Sequence, residues 1–282
     1  MSTFTTKVPG ATITYDVHGE QSSGSVPLVM IGSPMDAGGF AALAEQFADR
    51  TVVTYDPRNT GRSVRDDAAA PVSAEEHAED LHAVFVALDC GPVDVFASSG
   101  GAVNALELVA RHPHDVRTLI AHEPPAGGTL PDRVTLRAVC ANIVKTYDDS
   151  GFGPAMAQFI ALVMHRGELD ASYLDRPAPD PSAFGLPTED DGDRSNPLMA
   201  NMRGGGVDFL PNMEALRSAA TRIVIAVGEN SGGPSDGEMA GRAAYAVAAL
   251  LETDAVVFPG DHASFSGGEP VEFAAKLREV LA

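Results

Sequence analysis

The chain has 282 residues, 44% of them apolar, and a formal net charge of −20. That apolar share supports a large buried core and excludes a disordered chain, while the acidic excess disfavours nucleic acid and anionic membrane surfaces as partners. No run of about 18 apolar residues is present to span a membrane, and two cysteines, Cys90 and Cys140, with no CxxC or Cys/His cluster, give neither a disulfide framework nor a metal site.

Met1–Gly10 lacks the apolar segment of a secretory signal, and with the sparse thiols this sets a cytoplasmic location as the expectation. Next, Phe4–Lys7 and Thr12–His18, joined by a Val-Pro-Gly turn, read as a hairpin. Short apolar runs follow at Leu28–Ile31, Val52–Tyr55, Val93–Ala97, Leu119–Ala121, Ile223–Val227 and Ala255–Phe258. Their lack of strict alternation suits strands buried on both faces. Between them, helical spacing predicts Phe40–Phe47, Ser73–Leu88, Ala102–Arg111, Gly237–Leu251 and Pro270–Leu281. Ser73 and Glu76 stand at capping-box spacing, and Pro270 suits a first helical turn. Strands alternating with helices predict an α/β fold, a mostly parallel sheet with helices on both faces.

The alternation breaks over residues 127–216. Leu136–Tyr147 and Pro154–Met164 read as helices, and Asp175–Gly206, rich in Pro, Asp and Gly, as irregular chain. An insertion between two strands of such a sheet sits over their carboxyl ends, where these sheets bind ligands. It is read as a mainly helical cap on a core made of residues 1–126 and 217–282.

After the run Val93–Ala97 comes Ala97-Ser98-Ser99-Gly100-Gly101 and then a helix. A serine on a sharp strand-to-helix bend needs small flanking residues, and the bend lifts its hydroxyl above the sheet. Ser99 puts Ala97 and Gly101 at the small positions, whereas Ser98 would put Phe96 there, so Ser99 is the candidate nucleophile. The N–H of Gly100, at the helix start, then points to a developing oxyanion.

With this bend between a strand and a helix, nearly the whole chain resembles the α/β-hydrolase superfamily. The resemblance extends to Ile31-Gly32-Ser33-Pro34, where the usual His-Gly-x-Pro has lost its His, and it implies the backbone N–H of Ser33 as second oxyanion donor. Tyr55–Ser63 resembles a further signature, in which Asp56, Arg58 and Gly61 are read first as loop-ordering residues. The superfamily places its general base after the last strand, here Val256-Val257-Phe258-Pro259-Gly260-Asp261-His262, so His262 is the candidate base; imidazole titrates near working pH. Of the other histidines, His77, His82, His112, His114 and His165 are expected in solvent and His18 in a structural role.

The third member departs from the common pattern. The loop after Ile223–Val227, which usually carries the orienting acid as Gly-x-x-Asp, reads Gly228-Glu229-Asn230-Ser231. Glu123, in His122-Glu123-Pro124-Pro125 after the strand beside the nucleophile strand, is better placed, with Glu229 as the alternative; Asp261 adjoins the base, but neighbouring side chains point apart. The combination of Ser98-Ser99-Gly100, His122-Glu123-Pro124-Pro125, Val227-Gly228 and Pro259-Gly260-Asp261-His262 resembles the zearalenone lactonases, which implies a Ser-His-Glu triad.

The resemblance implies hydrolysis of a small apolar ester or lactone without metal or organic cofactor. In the cap, Met156, Phe159, Leu162, Met164, Met199, Met202, Phe209 and Met213 suggest an apolar roof, with Met156, Phe159 and Met202 as candidate substrate contacts; ordinary packing competes with that role at each. The absence of Trp leaves any stacking contact to Phe or Tyr. Carbon–carbon bond hydrolases, cofactor-free perhydrolases and lyases keep similar residues, and a small-molecule receptor on the same scaffold is a non-catalytic alternative. Dehalogenases and epoxide hydrolases carry Asp where Ser99 stands. The sequence leaves a homodimer open.

Overall fold

The computed structural model describes residues 1–19, 26–268 and 270–282. Strands β1 (Ser2–Val8) and β2 (Ala11–His18) form the N-terminal hairpin, followed by β3 (Leu28–Ile31), β4 (Val52–Asp56) and the two-residue β5 (Val64–Arg65). After these come β6 (Val93–Ser98), β7 (Val116–His122), β8 (Arg222–Gly228) and β9 (Val256–Phe258). They form one sheet in the order β1-β2-β4-β3-β6-β7-β8-β9, with β5 paired to β2. The β1/β2 and β2/β4 pairs are antiparallel, and the pairs from β4 through β3 to β9 are parallel.

Period-two alternation distributes the central strands between two apolar cores. Val29 and Ile31 of β3, Val95 and Ala97 of β6, and Leu119 and Ala121 of β7 face one core, which is closed by α2 (Ala74–Leu88), α3 (Gly100–Arg111) and α8 (Met239–Leu250). Leu28, Met30, Phe96 and Ile120 face the other, closed by α1 (Ala41–Glu45) and α9 (Pro270–Leu281). Each fully buried Leu, Ile, Val or Phe contributes about 1.5–3 kcal/mol relative to exposure. The Ser73/Glu76 capping box expected from sequence is formed at the start of α2.

The insertion holds α4 (Arg133–Ser150), α5 (Phe152–Val163) and α6 (Pro197–Arg203), and its Leu136, Ile143, Tyr147, Leu162 and Met199 join Met239 and Ala243 of α8 in a third apolar cluster. Helix α6 corrects the irregular reading of Asp175–Gly206. Asn196 accepts from the N–H groups of Leu198 and Met199, and Pro197 occupies the first turn, so the helix is started by a cap and a residue with preset φ. The neck of the insertion closes where Gly128 N–H donates to the Phe209 carbonyl at 3.2 Å. Beyond it, Leu216 of α7 (Met213–Ser218), with Phe209 and Met213, packs into the core on the α3 side of the sheet. No helix of the described residues is long and apolar enough to cross a membrane.

Candidate active site

The sheet order reverses at β3. The chain moves from β3 outward to β4, then crosses to β6 on the other side, and such a switch point opens a crevice at the strands' carboxyl ends. Register brings the candidate residues there side by side. Ile31 pairs with Ala97, and Ser98 pairs with His122, so Ser33, Ser99 and Glu123 leave three adjacent strands at one edge. His122 pairs with Ala226 and Gly228 with Phe258, so the β8 loop and His262 follow at the same edge.

Ser99 sits at φ 56°, ψ −132°, a conformation that costs on the order of 1–3 kcal/mol for a residue with a side chain. Its N–H donates to the His122 carbonyl at 3.0 Å, and α3 begins at the next residue. The Ile31–Pro34 segment lies hard against that helix start: a Cβ on Gly100 would come 2.5 Å from the Ser33 carbonyl oxygen, and one on Gly101 would come 2.5 Å from that of Ile31. Glycine at both positions is therefore a packing requirement. The first N–H groups of α3 have no intrahelical partner and carry the positive end of its dipole.

Glu123, 1% exposed, also has positive φ, 47°. Its backbone N–H donates to Ala226 O at 2.9 Å, and its Oε1 accepts from Gly228 N at 2.8 Å. Oε2 lies 2.5 Å from His262 Nδ1. Burial pushes the Glu123 carboxyl up, but the His262 hydrogen bond and the adjacent His122 and His262 rings outweigh it and bring the value down to about 2. An ionised carboxylate only accepts, so Nδ1 carries a hydrogen, and in the neutral tautomer this leaves the lone pair on Nε2. Glu229, the alternative acid, is exposed, whereas Ser231, where the common pattern has its Asp, is buried. Asp261 accepts from the N–H of Ala263 and the hydroxyl of Ser264, which shapes the loop that presents His262.

Ser99, Gly100, Ser33 and His262 line one cavity of about 410 Å³, with Val72, Val103, Pro125, Phe159, Leu198, Met202, Val207 and Met239 supplying most of its apolar wall. Among the described residues the Ser99 hydroxyl has no hydrogen-bond partner, which leaves it open to the cavity; nucleophile–base contacts are often looser without substrate. Phe159 and Met202 line the cavity as expected substrate contacts would, but Met156 does not. Met156 lies on α5 three residues before Phe159, and that spacing turns it about 60° around the helix from Phe159, enough to miss the opening. Leu162 and Met199 are buried in the third apolar cluster, and Met164 lies at the exposed rim.

Two further corrections concern polar groups. His77, expected in solvent, is 2% exposed and lines the cavity, with Nε2 2.9 Å from Asn201 Oδ1. Helical spacing carries the signal, since His77 falls on the face of α2 that buries Ala74, Ala78, Leu81 and Phe85. Asn201 itself, on the unforeseen α6, was beyond reach of the pattern. His82 and His112 are half-buried and stacked, ring centroids 3.8 Å apart, and stand against Asp115 and Glu79. His122 is fully buried among Phe96, Phe258, Phe265 and Phe273, and burial pushes it down to about 4, so it is neutral at working pH. His18 Nε2 meets Thr54 Oγ1 at 3.2 Å across the β2/β4 pair, in keeping with a structural role. Asp56 accepts from the N–H groups of Ala37 and Arg62, and Arg58 forms a two-bond pair with Asp80, so this signature orders its loop.

The chain matches the model of the alpha/beta hydrolase fold over residues 28–190. It is 30% identical over 280 residues to an uncharacterized hydrolase, YraK, of Bacillus subtilis (strain 168), covering 98% of this chain and 95% of that one. Among solved structures it is similar to a thermophilic esterase from Thermogutta terrifontis, with TM-score 0.70 and 17% identity over 98% of this chain and 96% of that one. It is also similar to the enol-lactonase from Burkholderia xenovorans LB400, with TM-score 0.69 and 15% identity over 98% and 99% of the two chains. At such identities the two structures speak for the fold alone.

Proposed function

The chain belongs to the α/β-hydrolase family, and we propose that it is a serine hydrolase that cleaves a small apolar carboxylic ester or lactone through an acyl-enzyme. The observation that carries this reading is the 2.5 Å contact between His262 Nδ1 and the ionised Glu123, beside an apolar cavity that also presents Ser99 on its bend.

Ser99 Oγ attacks the carbonyl carbon while His262 Nε2 takes its proton. Glu123 orients the ring and stabilises the imidazolium without taking the proton itself. The N–H groups of Ser33 and Gly100 hold the oxyanion as the carbonyl π pair moves onto oxygen. Collapse expels the alkoxide, which receives the proton from His262; for a lactone it stays tethered to the acyl group. Water then attacks the acyl-enzyme with His262 again as base, releasing the acid and restoring Ser99. The apolar wall with Phe159 and Met202 favours an apolar acyl or alcohol part. The lactonase-like segments around Ser99, Glu123, Gly228 and His262 favour lactones among these substrates, and the esterase and enol-lactonase among the structural neighbours are in keeping with that class.

A panel of p-nitrophenyl esters and macrocyclic and small lactones, assayed with wild type and Ser99→Ala, tests the reading. Turnover that vanishes in Ser99→Ala supports it. Turnover that survives this change, or tight ligand binding with no turnover at all, overturns it.

A further inference from the structure

One wall of the cavity is polar, and its side chains are not used by the mechanism above. His77, Asn201 and Ser33 all line it, and they form a chain of hydrogen bonds. His77 Nε2 lies 2.9 Å from Asn201 Oδ1, and Asn201 Nδ2 donates to Ser33 Oγ at 3.0 Å. The carboxamide oxygen can only accept, so Nε2 carries the hydrogen and the amide N–H₂ is left to face Ser33. A hydroxyl has one proton and two lone pairs. Asn201 occupies a lone pair of Ser33, and among the described residues no acceptor takes the Ser33 proton.

The position of Asn201 is fixed from the core as well as from the cap. Val72 N–H donates to the carbonyl of Ala200 at 3.0 Å, and Asn59 Nδ2 donates to the carbonyl of Ser195 at 2.7 Å. Helix α6 therefore holds its side chain against the oxyanion loop from a bolted position, not from a free lid.

We propose that the Ser33 hydroxyl is a third donor to the oxyanion, beside the N–H groups of Ser33 and Gly100, and that Asn201 is the positioning residue that aims it. The proposal rests on the acyl-transfer reading. When Ser99 attacks, the carbonyl oxygen becomes an anion, and the Ser33 O–H hydrogen-bonds to it without giving up its proton. Charge-assisted O–H···O⁻ bonds are about twice as strong as neutral ones. The gain thus appears in the transition state and not in the bound ester, so it raises kcat and leaves KM nearly unchanged.

The test is the steady-state kinetics of Ser33→Ala, Ser33→Thr, Asn201→Ala and the Ser33→Ala/Asn201→Ala double variant on p-nitrophenyl butyrate, with wild type and Ser99→Ala as references. Loss of one oxyanion donor typically costs 10²–10³ in kcat. Ser33→Ala is expected to lower kcat roughly 100-fold with KM within about twofold, and Ser33→Thr, which keeps the hydroxyl, to retain most of it. Asn201→Ala is expected to lower kcat about tenfold alone and to add nothing to Ser33→Ala, as residues acting through one another do not multiply. Inhibition by phenylboronic acid, which forms a tetrahedral adduct on a serine, should weaken in Asn201→Ala in step with kcat, a readout that holds even where Ser33→Ala fails to fold. Wild-type kcat in Ser33→Ala, multiplicative losses, or unchanged boronate inhibition in Asn201→Ala overturns the proposal while Ser99-dependent turnover leaves the acyl-transfer reading standing; a reversed amide at Asn201 would give this result. A wild type with neither turnover nor boronate inhibition overturns both.

Discussion

The sheet holds Ser99, Glu123 and His262 through backbone register, whereas the insertion meets the same cavity through side chains: Phe159 and Met202 by apolar contact, and Asn201 by hydrogen bonds to Ser33 and His77. Register is cooperative. Moving Glu123 away from His262 would mean slipping β7, buried at every residue but Arg117, between β6 and β8. A side-chain contact from the insertion can change with one residue on one helix. On the proposed reading, the difference puts the triad on the part of the molecule that cannot easily vary and leaves substrate choice, together with the aiming of Ser33, to the part that can.

That contrast can be broken in descending order of effect. Ser99→Ala should lower turnover on the order of 10⁶-fold with the thermal midpoint little changed, as a steady-state assay and a melting curve would reveal. Glu123→Gln should lower kcat about 10⁴-fold by disturbing the tautomer and orientation of His262, while Glu229→Gln, at an exposed position, should be near wild type. Kinetics of the pair decide between the two acids, and a severe Glu229→Gln would reverse the assignment.

At the start of the inserted helices, Asp132 forms a two-bond pair with Arg242 and also accepts from Leu169 N, with both charged side chains almost fully buried. Asp132→Ala leaves Arg242 unpaired and should destabilise the fold by about 3–5 kcal/mol, read from denaturant midpoints.

Acid titration sharpens the contrast from the core side. The Glu123 carboxyl is held at about 2 against an ordinary 4.5. A lowered folded-state value means that its stabilising contribution is fully present above about pH 4.5 and is lost as pH falls toward 2. Urea unfolding of Glu123→Gln across that window should lack this component, on the order of 3 kcal/mol between its ends. The smallest effect belongs to the roof: Phe159→Ala or Met202→Ala should raise KM about tenfold with kcat nearly unchanged, and Met156→Ala should change neither. Equal effects from all three would dissolve the distinction between wall and packing.

Much of the sheet was legible because it is written in short, consecutive apolar runs. Leu28–Ile31 forms the strand at those very bounds, and Pro270–Leu281 the helix. Ser99, Glu123 and His262 were legible as candidates because each follows such a run, and order along the chain becomes proximity once parallel strands align. Asn201 was hidden because its helix is only seven residues long and lies in a Pro- and Asp-rich stretch, where Asn196 and Pro197 are the sole start signal. His77 was misread because its residue type suggested solvent while its helical position demanded burial. Met156 was misread because apolar character alone cannot tell a cavity wall from its backing.

The most direct test of the central claim is intact-protein and peptide mass spectrometry after treatment with an alkyl fluorophosphonate. The account predicts one adduct, on Ser99, formed fast in wild type, far more slowly in His262→Ala, and not at all in Ser99→Ala. An adduct on Ser98, or none on a wild type that hydrolyses esters, would contradict it.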